Sequence, residues 1–151
     1  MQYDREKHHR RSIRLKNYDY SRPGSYFIII VTQDRECLFG SIENGVMHLN
    51  EKGELIHQWW LELNKKFHYL DNKIYVIMPN HVHGIITIKE DLRRKGYQNN
   101  NNFHEWKCNQ SIPKIIHWFK TITTNEYLKK IKNENWIPLN NRLWQRNYYE
   151  H

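Results

Sequence analysis

The chain has very little cysteine and no long apolar run, and both absences narrow its class. Its two cysteines, Cys37 and Cys108, lie far apart and match no metal-ligand spacing, which favours a protein of a reducing compartment. No segment approaches the roughly 20 apolar residues of a membrane span. The polar, basic N-terminus also lacks the apolar core of a signal peptide. We therefore expect a cytoplasmic protein with no membrane partner.

The chain also lacks internal repeats, and its 151 residues are enough for one domain with a hydrophobic core. Acidic residues are outnumbered, because 24 lysines and arginines stand against 16 aspartates and glutamates, for a formal net charge of +8. This excess favours an anionic partner, most often nucleic acid, although a solvated basic surface is a frequent alternative. The many aromatic residues suit stacking on unpaired bases, but most are expected to be core material.

The pattern of apolar residues predicts an α+β protein. A polar, basic N-terminal arm covers residues 1–24 and ends at a Pro-Gly turn signal, and residues 25–151 form the domain. In that domain we expect a strand at 26–32, a hairpin at Asn44-Gly45, a helix at 51–66 with Trp59 in its apolar stripe, strands at 73–78 and 81–88, and a helix capped by Ser111. This order predicts a ferredoxin-like split β-α-β sandwich, in which an antiparallel sheet carries helices on one face and leaves the other open.

Two histidines head the last predicted strand. Side chains alternate along a strand, so His81 and His83 point to the same face. Two imidazoles on one rigid face provide two ligands of a metal site. The alternative is a pair of core or rim histidines with satisfied hydrogen bonds, because this spacing is common by chance.

Several segments, in order across nearly the whole chain, together resemble one protein family. They are Arg11–Lys16 with Tyr18–Tyr20, Pro23–Phe27, Arg35–Gly40, Val76–Ile86, Phe119-Lys120 and Trp144–His151. Each segment is weak alone, but the ordered set resembles the HUH single-tyrosine transposases, and among them the REP-associated tyrosine transposase branch.

The resemblance implies a transposase that acts on single-stranded DNA beside a hairpin. His81 and His83 would be catalytic residues that hold Mg²⁺ or Mn²⁺, and the metal would polarise the scissile phosphate. A tyrosine hydroxyl would attack this phosphate and leave a 5′-phosphotyrosine link. Val82, between the histidines, would point into the core. The implied partner is single-stranded or hairpin DNA, and the protein would be a monomer or a homodimer.

The sequence departs from the family at the nucleophile. In the family, the nucleophilic tyrosine lies on a helix after the Trp-Gln-Arg segment, and a third metal ligand, Asn or Gln, follows four residues further on. The sequence reaches His151 before such a helix, so we expect both groups to be missing from these residues. Tyr148 and Tyr149 are the nearest substitutes, but they match positions upstream of the nucleophile, which favours packing or DNA contact for both.

The resemblance also suggests which residues contact DNA. Phosphate contacts are predicted for Arg10, Arg11, Arg14, Lys16 and Lys120, and base or hairpin contacts for Trp144, Arg146 and Tyr148. The alternatives are solvated charges and core aromatics. For the protein as a whole, the alternative to a transposase is a truncated, catalytically inactive module that binds hairpin DNA. A small-molecule metalloenzyme is a third, weaker possibility, because the matched segments argue against it.

Overall fold

The computed structural model describes residues 18–89 and 111–150, which form six strands and two helices. The strands are β1 (Gly24–Val31), β2 (Gly40–Glu43), β3 (Val46–Leu49), β4 (Leu70–Met78), β5 (His81–Ile88) and β6 (Tyr149–Glu150). The helices are α1 (Glu51–Lys66) and α2 (Ile112–Glu134), and a 3₁₀ turn occupies Gln33–Arg35. The predicted arm contacts Arg10, Arg11, Arg14 and Lys16 lie outside the described residues.

Four strands form the main sheet in the order β4-β5-β1-β6, and each neighbouring pair is antiparallel. β2 and β3 form a separate two-stranded ribbon. α1 packs against β4 and α2, so the two helices cover one face of the sheet and leave the other open. The predicted ferredoxin-like split β-α-β sandwich is confirmed.

Local signals in the sequence set several of these boundaries. Asn44 and Gly45 have φ angles of 50° and 79°, the left-handed pair that a tight hairpin turn requires. The Asn50 side chain accepts hydrogen bonds from the N–H groups of Lys52 and Gly53, and α1 begins at the predicted residue. Ser111 stands at the N-cap of α2, although its side chain makes no capping hydrogen bond. Neither helix in the described residues is long and apolar enough to cross a membrane.

The core lies between the helices and the covered face of the sheet. Trp59 is partly buried against this core, as predicted, but the fully buried tryptophan of α1 is Trp60, which the prediction left out. Trp60 lies against Gly84 of β5, where an added Cβ would stand only 2.8 Å from the indole. The Trp60 indole N–H donates to the Asn72 carbonyl at 3.0 Å. The absence of a side chain at Gly84 therefore leaves room for the Trp60 ring.

The chain after α2 returns along the free edge of β1. Asn135, with a φ of 56°, ends α2 in the left-handed conformation. Trp144 bridges Thr32, and β6 pairs Tyr149 with Ile29 at the edge of the sheet. The sequence did not predict β6, because two residues carry no periodic signal.

The described end of the predicted arm packs with the domain. Tyr20 and Ser21 are buried, and the Ile112 N–H at the start of α2 donates to the Tyr20 carbonyl at 3.2 Å. The Tyr26 hydroxyl donates to the Arg22 carbonyl at 2.8 Å. These contacts connect the entry to β1 with the start of α2.

Candidate metal and nucleic-acid site

His81 and His83 lie side by side on the open face of β5, an inner strand of the sheet. Their ring centroids are 5.0 Å apart and the ring planes cross at 73°. Val82 between them is fully buried, as alternation requires. Because β5 is hydrogen-bonded to β1 on one side and β4 on the other, the backbone that carries the two rings is held in place.

This pair fits part of a divalent metal site. Neutral imidazole is a ligand for divalent transition metals, Mn²⁺ among them. Mg²⁺ and Mn²⁺ also need several oxygen ligands. Residues 18–89 and 111–150 contain no group of three or more His, Cys, Asp or Glu side chains that could hold a metal. A metal at the pair would therefore take the two imidazoles as ligands, and oxygen ligands such as water or a phosphate would complete its shell.

The surroundings of His81 favour an uncharged ring. Burial lowers the pKa of His81, and the neighbouring His83 acts in the same direction. The cross-strand neighbours are neutral, since Met78 and Val31 lie opposite His81 while Val76 and Ile29 lie opposite His83. Uncharged imidazoles keep the lone pair that a metal requires.

The open face around the histidines is apolar and partly aromatic. Ile74, Val76, Phe27 and Tyr149 expose 67%, 41%, 39% and 49% of their surface. Phe27 lies beside His83, with ring centroids 5.9 Å apart. Through the strand register, Val76, His83, Ile29 and Tyr149 form one lateral row across the sheet.

Phe27 and the sheet position of Tyr149 are the site-face features that the sequence reasoning missed. The alternation of β1 could have indicated Phe27, because it has the opposite parity to the buried Ile28 and Ile30. Tyr149 had no such signal, because its place depends on a two-residue strand that forms only in the tertiary structure.

Trp144 and Tyr148, two of the predicted DNA contacts, are core residues, which is the alternative that the sequence left open. Trp144 is only 4% exposed, and its indole N–H donates to the Thr123 hydroxyl at 2.9 Å. The Trp144 ring also packs against Phe39 and Phe119. Tyr148 is buried as well, so neither ring can stack on a base in this conformation. The alternating burial of the C-terminal segment was not visible in its composition.

Lys120 is half-buried, and its ammonium group contacts the main chain of the C-terminal segment. Its ammonium nitrogen lies 2.9, 3.4 and 3.0 Å from the carbonyl oxygens of Gln145, Arg146 and Asn147. It also lies 5.5 Å from the centroid of the Tyr148 ring. Burial lowers the pKa of Lys120 to about 8. These contacts connect the C-terminal segment to α2, and the phosphate contact of Lys120 stays a prediction.

Arg146 is the predicted C-terminal contact that remains available. Its side chain is exposed, while its carbonyl faces Lys120. In the segment 144–149, the buried residues Trp144 and Tyr148 therefore serve the fold, whereas Arg146 and Tyr149 face solvent.

Two solved structures are similar to this fold. The structure is similar to that of a candidate transposase from Deinococcus radiodurans, with a TM-score of 0.53, 15% sequence identity, and coverage of 91% of this chain and 85% of that one. A REP-associated tyrosine transposase bound to a REP hairpin aligns with a TM-score of 0.46 and 14% identity. This second alignment covers 91% of this chain but 60% of the transposase, so the chain spans less than two thirds of its length. The chain thus has a transposase fold.

A relative at the sequence level identifies the family. The chain is 39% identical over 151 residues to an uncharacterised protein of Haemophilus influenzae, and the alignment covers 95% of this chain and 78% of that protein. The chain belongs to the same family as this Haemophilus protein. No family model matches the sequence.

Proposed function

We propose that the protein is a single-strand DNA transposase of the HUH tyrosine type, which binds single-stranded or hairpin DNA and uses a divalent metal in strand cleavage and transfer. The observation that carries the proposal is the pair of adjacent imidazoles, His81 and His83, on the open face of an inner strand. The ordered sequence segments that resemble this family, with the REP-associated branch as the finer assignment, support the same function.

The residues of the open face would have three roles: metal binding, base stacking and phosphate contact. His81 and His83 would hold Mg²⁺ or Mn²⁺, which supplies Lewis-acid polarisation of a DNA phosphate. Phe27 on β1 and Tyr149 on β6 lie on the same side of the histidine pair and would stack on unpaired bases next to that phosphate. Arg146, exposed on the same C-terminal segment, would neutralise a backbone phosphate.

The metal part of the proposal is tested by titrating Mn²⁺ and following its paramagnetic resonance signal. Wild-type protein should bind weakly, because the pair supplies two imidazole ligands. The double variant His81→Ala/His83→Ala should lose this binding. His117→Ala, which removes an exposed imidazole from α2, is the matched control and should behave like wild type. Equal binding by the double variant and wild type would refute the site.

The DNA part is tested by comparing a hairpin that has a single-stranded flank with a plain duplex. The protein should prefer the hairpin, and its affinity should fall as salt rises, because phosphate contacts release counterions. Removing residues 1–16 should weaken binding to all sequences about equally, since contacts from the arm would be to phosphates. An unchanged affinity and salt slope after this deletion would show that the arm does not contact DNA.

A hairpin-binding module without cleavage activity is the second candidate, favoured by the lack of a third His, Cys, Asp or Glu side chain beside His81 and His83 among residues 18–89 and 111–150. Incubation with Mn²⁺ and a 3′-labelled hairpin oligonucleotide, followed by a denaturing gel, separates the two functions. The transposase gives a labelled protein adduct, and the binding module gives a retarded band under native conditions only. Loss of an adduct in Tyr149→Phe would identify that tyrosine as the nucleophile.

A further inference from the structure

The turn that leads into β5 is held tightly by the segment that follows β1. Pro79 and Asn80 connect β4 to β5, and the Asn80 carbonyl accepts hydrogen bonds from the main-chain N–H and the hydroxyl of Thr32, both at 2.9 Å. The Pro79 carbonyl accepts from the Phe39 N–H at 2.9 Å. Thr32 is fully buried, so the position of Asn80 is fixed from the core side.

The side-chain amide of Asn80 is oriented by a second contact. Its Nδ2 donates to the Arg35 carbonyl at 3.2 Å, and its Oδ1 lies 2.8 Å from His81 Nδ1. The opposite orientation of the amide would place Oδ1 against the Arg35 carbonyl, where two acceptors would repel each other. The Arg35 carbonyl therefore decides that Asn80 presents an oxygen, and not an NH₂ group, to His81.

The Arg35 carbonyl comes from a strained turn. Asp34 and Arg35 have φ angles of 55° and 58°, which are two consecutive non-glycine residues in the left-handed region. Such a conformation is disfavoured for residues that carry a Cβ and persists only where the surrounding structure enforces it. The Thr32 hydroxyl, 2.8 Å from the Glu36 carbonyl, helps to close this turn.

We propose that Asn80 is the positioning residue of the metal site, an inference that rests on the proposed function. An amide oxygen only accepts, so His81 Nδ1 must carry the proton, and Nε2 keeps its lone pair for a metal. Asn80 thus fixes both the tautomer and the plane of the His81 ring before any metal arrives. An outer partner of this kind typically contributes 10- to 100-fold in metal affinity.

The tautomer can be measured without metal, by long-range ¹H–¹⁵N correlation of histidine-labelled protein above the histidine pKa. The His81 signals are assigned with His81→Gln. In wild type they should report Nδ1–H. In Asn80→Ala they should shift toward Nε2–H, and Mn²⁺ affinity should fall about tenfold or more. Asn80→Asp keeps an acceptor for His81 but places a second oxygen against the Arg35 carbonyl, so it should restore the Nδ1–H form only in part.

Asn50→Ala is the matched control. Asn50 also donates from its amide to a main-chain carbonyl, that of Leu38 at 2.9 Å, but it caps α1 rather than touching a histidine. This variant should lower stability and leave the His81 tautomer unchanged. An unchanged tautomer in Asn80→Ala, or the same change in Asn50→Ala, would overturn the proposal. Failure of wild type to bind Mn²⁺ would refute the proposed metal function. The tautomer measurement would still show whether Asn80 fixes the tautomer of the His81 ring.

Discussion

The two faces of β5 are built from alternate residues of one strand, yet they differ in almost every physical respect. The covered face buries Val82, Gly84 and Ile86 against the helices. The open face carries two imidazoles and is bordered by side chains such as Ile74, which is 67% exposed. Stability should therefore depend on the first face and chemistry on the second, and substitutions on the two faces should change different measurements.

The largest effect is expected from Trp60→Ala on the covered side. Trp60 is fully buried and donates to the Asn72 carbonyl at 3.0 Å, so truncation leaves a cavity and an acceptor without its partner. The free energy of unfolding should fall by about 3–5 kcal/mol, measured by urea denaturation. Ile74→Ala on the open face should lower it by less than about 1 kcal/mol. Comparable losses would mean that the open face is part of the core.

Gly84→Ala tests the same comparison by adding atoms. A Cβ at Gly84 would stand 2.8 Å from both the Trp60 ring and the Tyr75 Cβ, and 2.9 Å from the Ile74 carbonyl oxygen. The strand or the indole must move, at a cost of about 1–3 kcal/mol. Ile85→Ala, one residue along on the open face, is the control and should have the smaller effect. A neutral Gly84→Ala would show that the covered face is loosely packed.

Substitutions in the C-terminal segment should likewise affect either stability or DNA binding, according to whether the residue is buried or exposed. Trp144→Phe removes the hydrogen bond to the Thr123 hydroxyl and part of a buried ring, so stability should fall by about 1–2 kcal/mol. Its hairpin DNA affinity, measured on folded protein, should stay unchanged. Arg146→Ala should do the reverse and lower the salt slope of DNA binding by about one. If Trp144→Phe is as stable as wild type but binds DNA weakly, Trp144 contacts DNA.

Lys120 gives a pH-dependent test. Because burial holds its pKa near 8 in the folded state, against the ordinary 10.5, the unfolded chain binds more protons on this group between those values. This lysine therefore makes the free energy of unfolding rise as pH increases from about 8 to 10, by on the order of 1 kcal/mol after allowance for partial exposure. Lys120→Met should have the smaller rise. Parallel pH curves for the two proteins would show that the ammonium is not buried as described.

The smallest change in stability is expected from His81→Ala/His83→Ala. Both rings are half-buried on the open face, so their loss should alter the free energy of unfolding by about 1 kcal/mol or less. Thermal unfolding with and without Mn²⁺ would check this, because the metal should stabilise wild type only. A large destabilisation without metal would mean that the imidazoles serve the core.

Much of the fold was predictable because local signals and tertiary demands agree. The positive φ angles at Asn44 and Gly45, the Asn50 cap and the alternation of β5 each follow from one short segment. The full burial of Trp60 was not, since it depends on the room left by Gly84 in a distant strand.

The candidate site was likewise predictable where it depends on local geometry, and not where it depends on contacts between distant segments. The histidines share a face through strand geometry alone, and the structure places them as expected. The roles of Lys120, Trp144 and Tyr148 depend on how the segment after α2 returns to the sheet, which composition does not encode. The Asn80 contact likewise needs the Arg35 carbonyl, 45 residues away in the sequence.

The alternation of buried and open residues along β5 also has a consequence for inheritance. Replacing the two imidazoles should leave the folded molecule nearly as stable as before, so decay of the chemistry leaves little trace in folding. A gene copy that has lost its selective use can then persist as a well-folded relic. Among descendants of one such gene, an intact His-Val-His would mark selection for chemistry, whereas an intact Val-x-Gly-x-Ile on the other face would mark only selection for a stable fold.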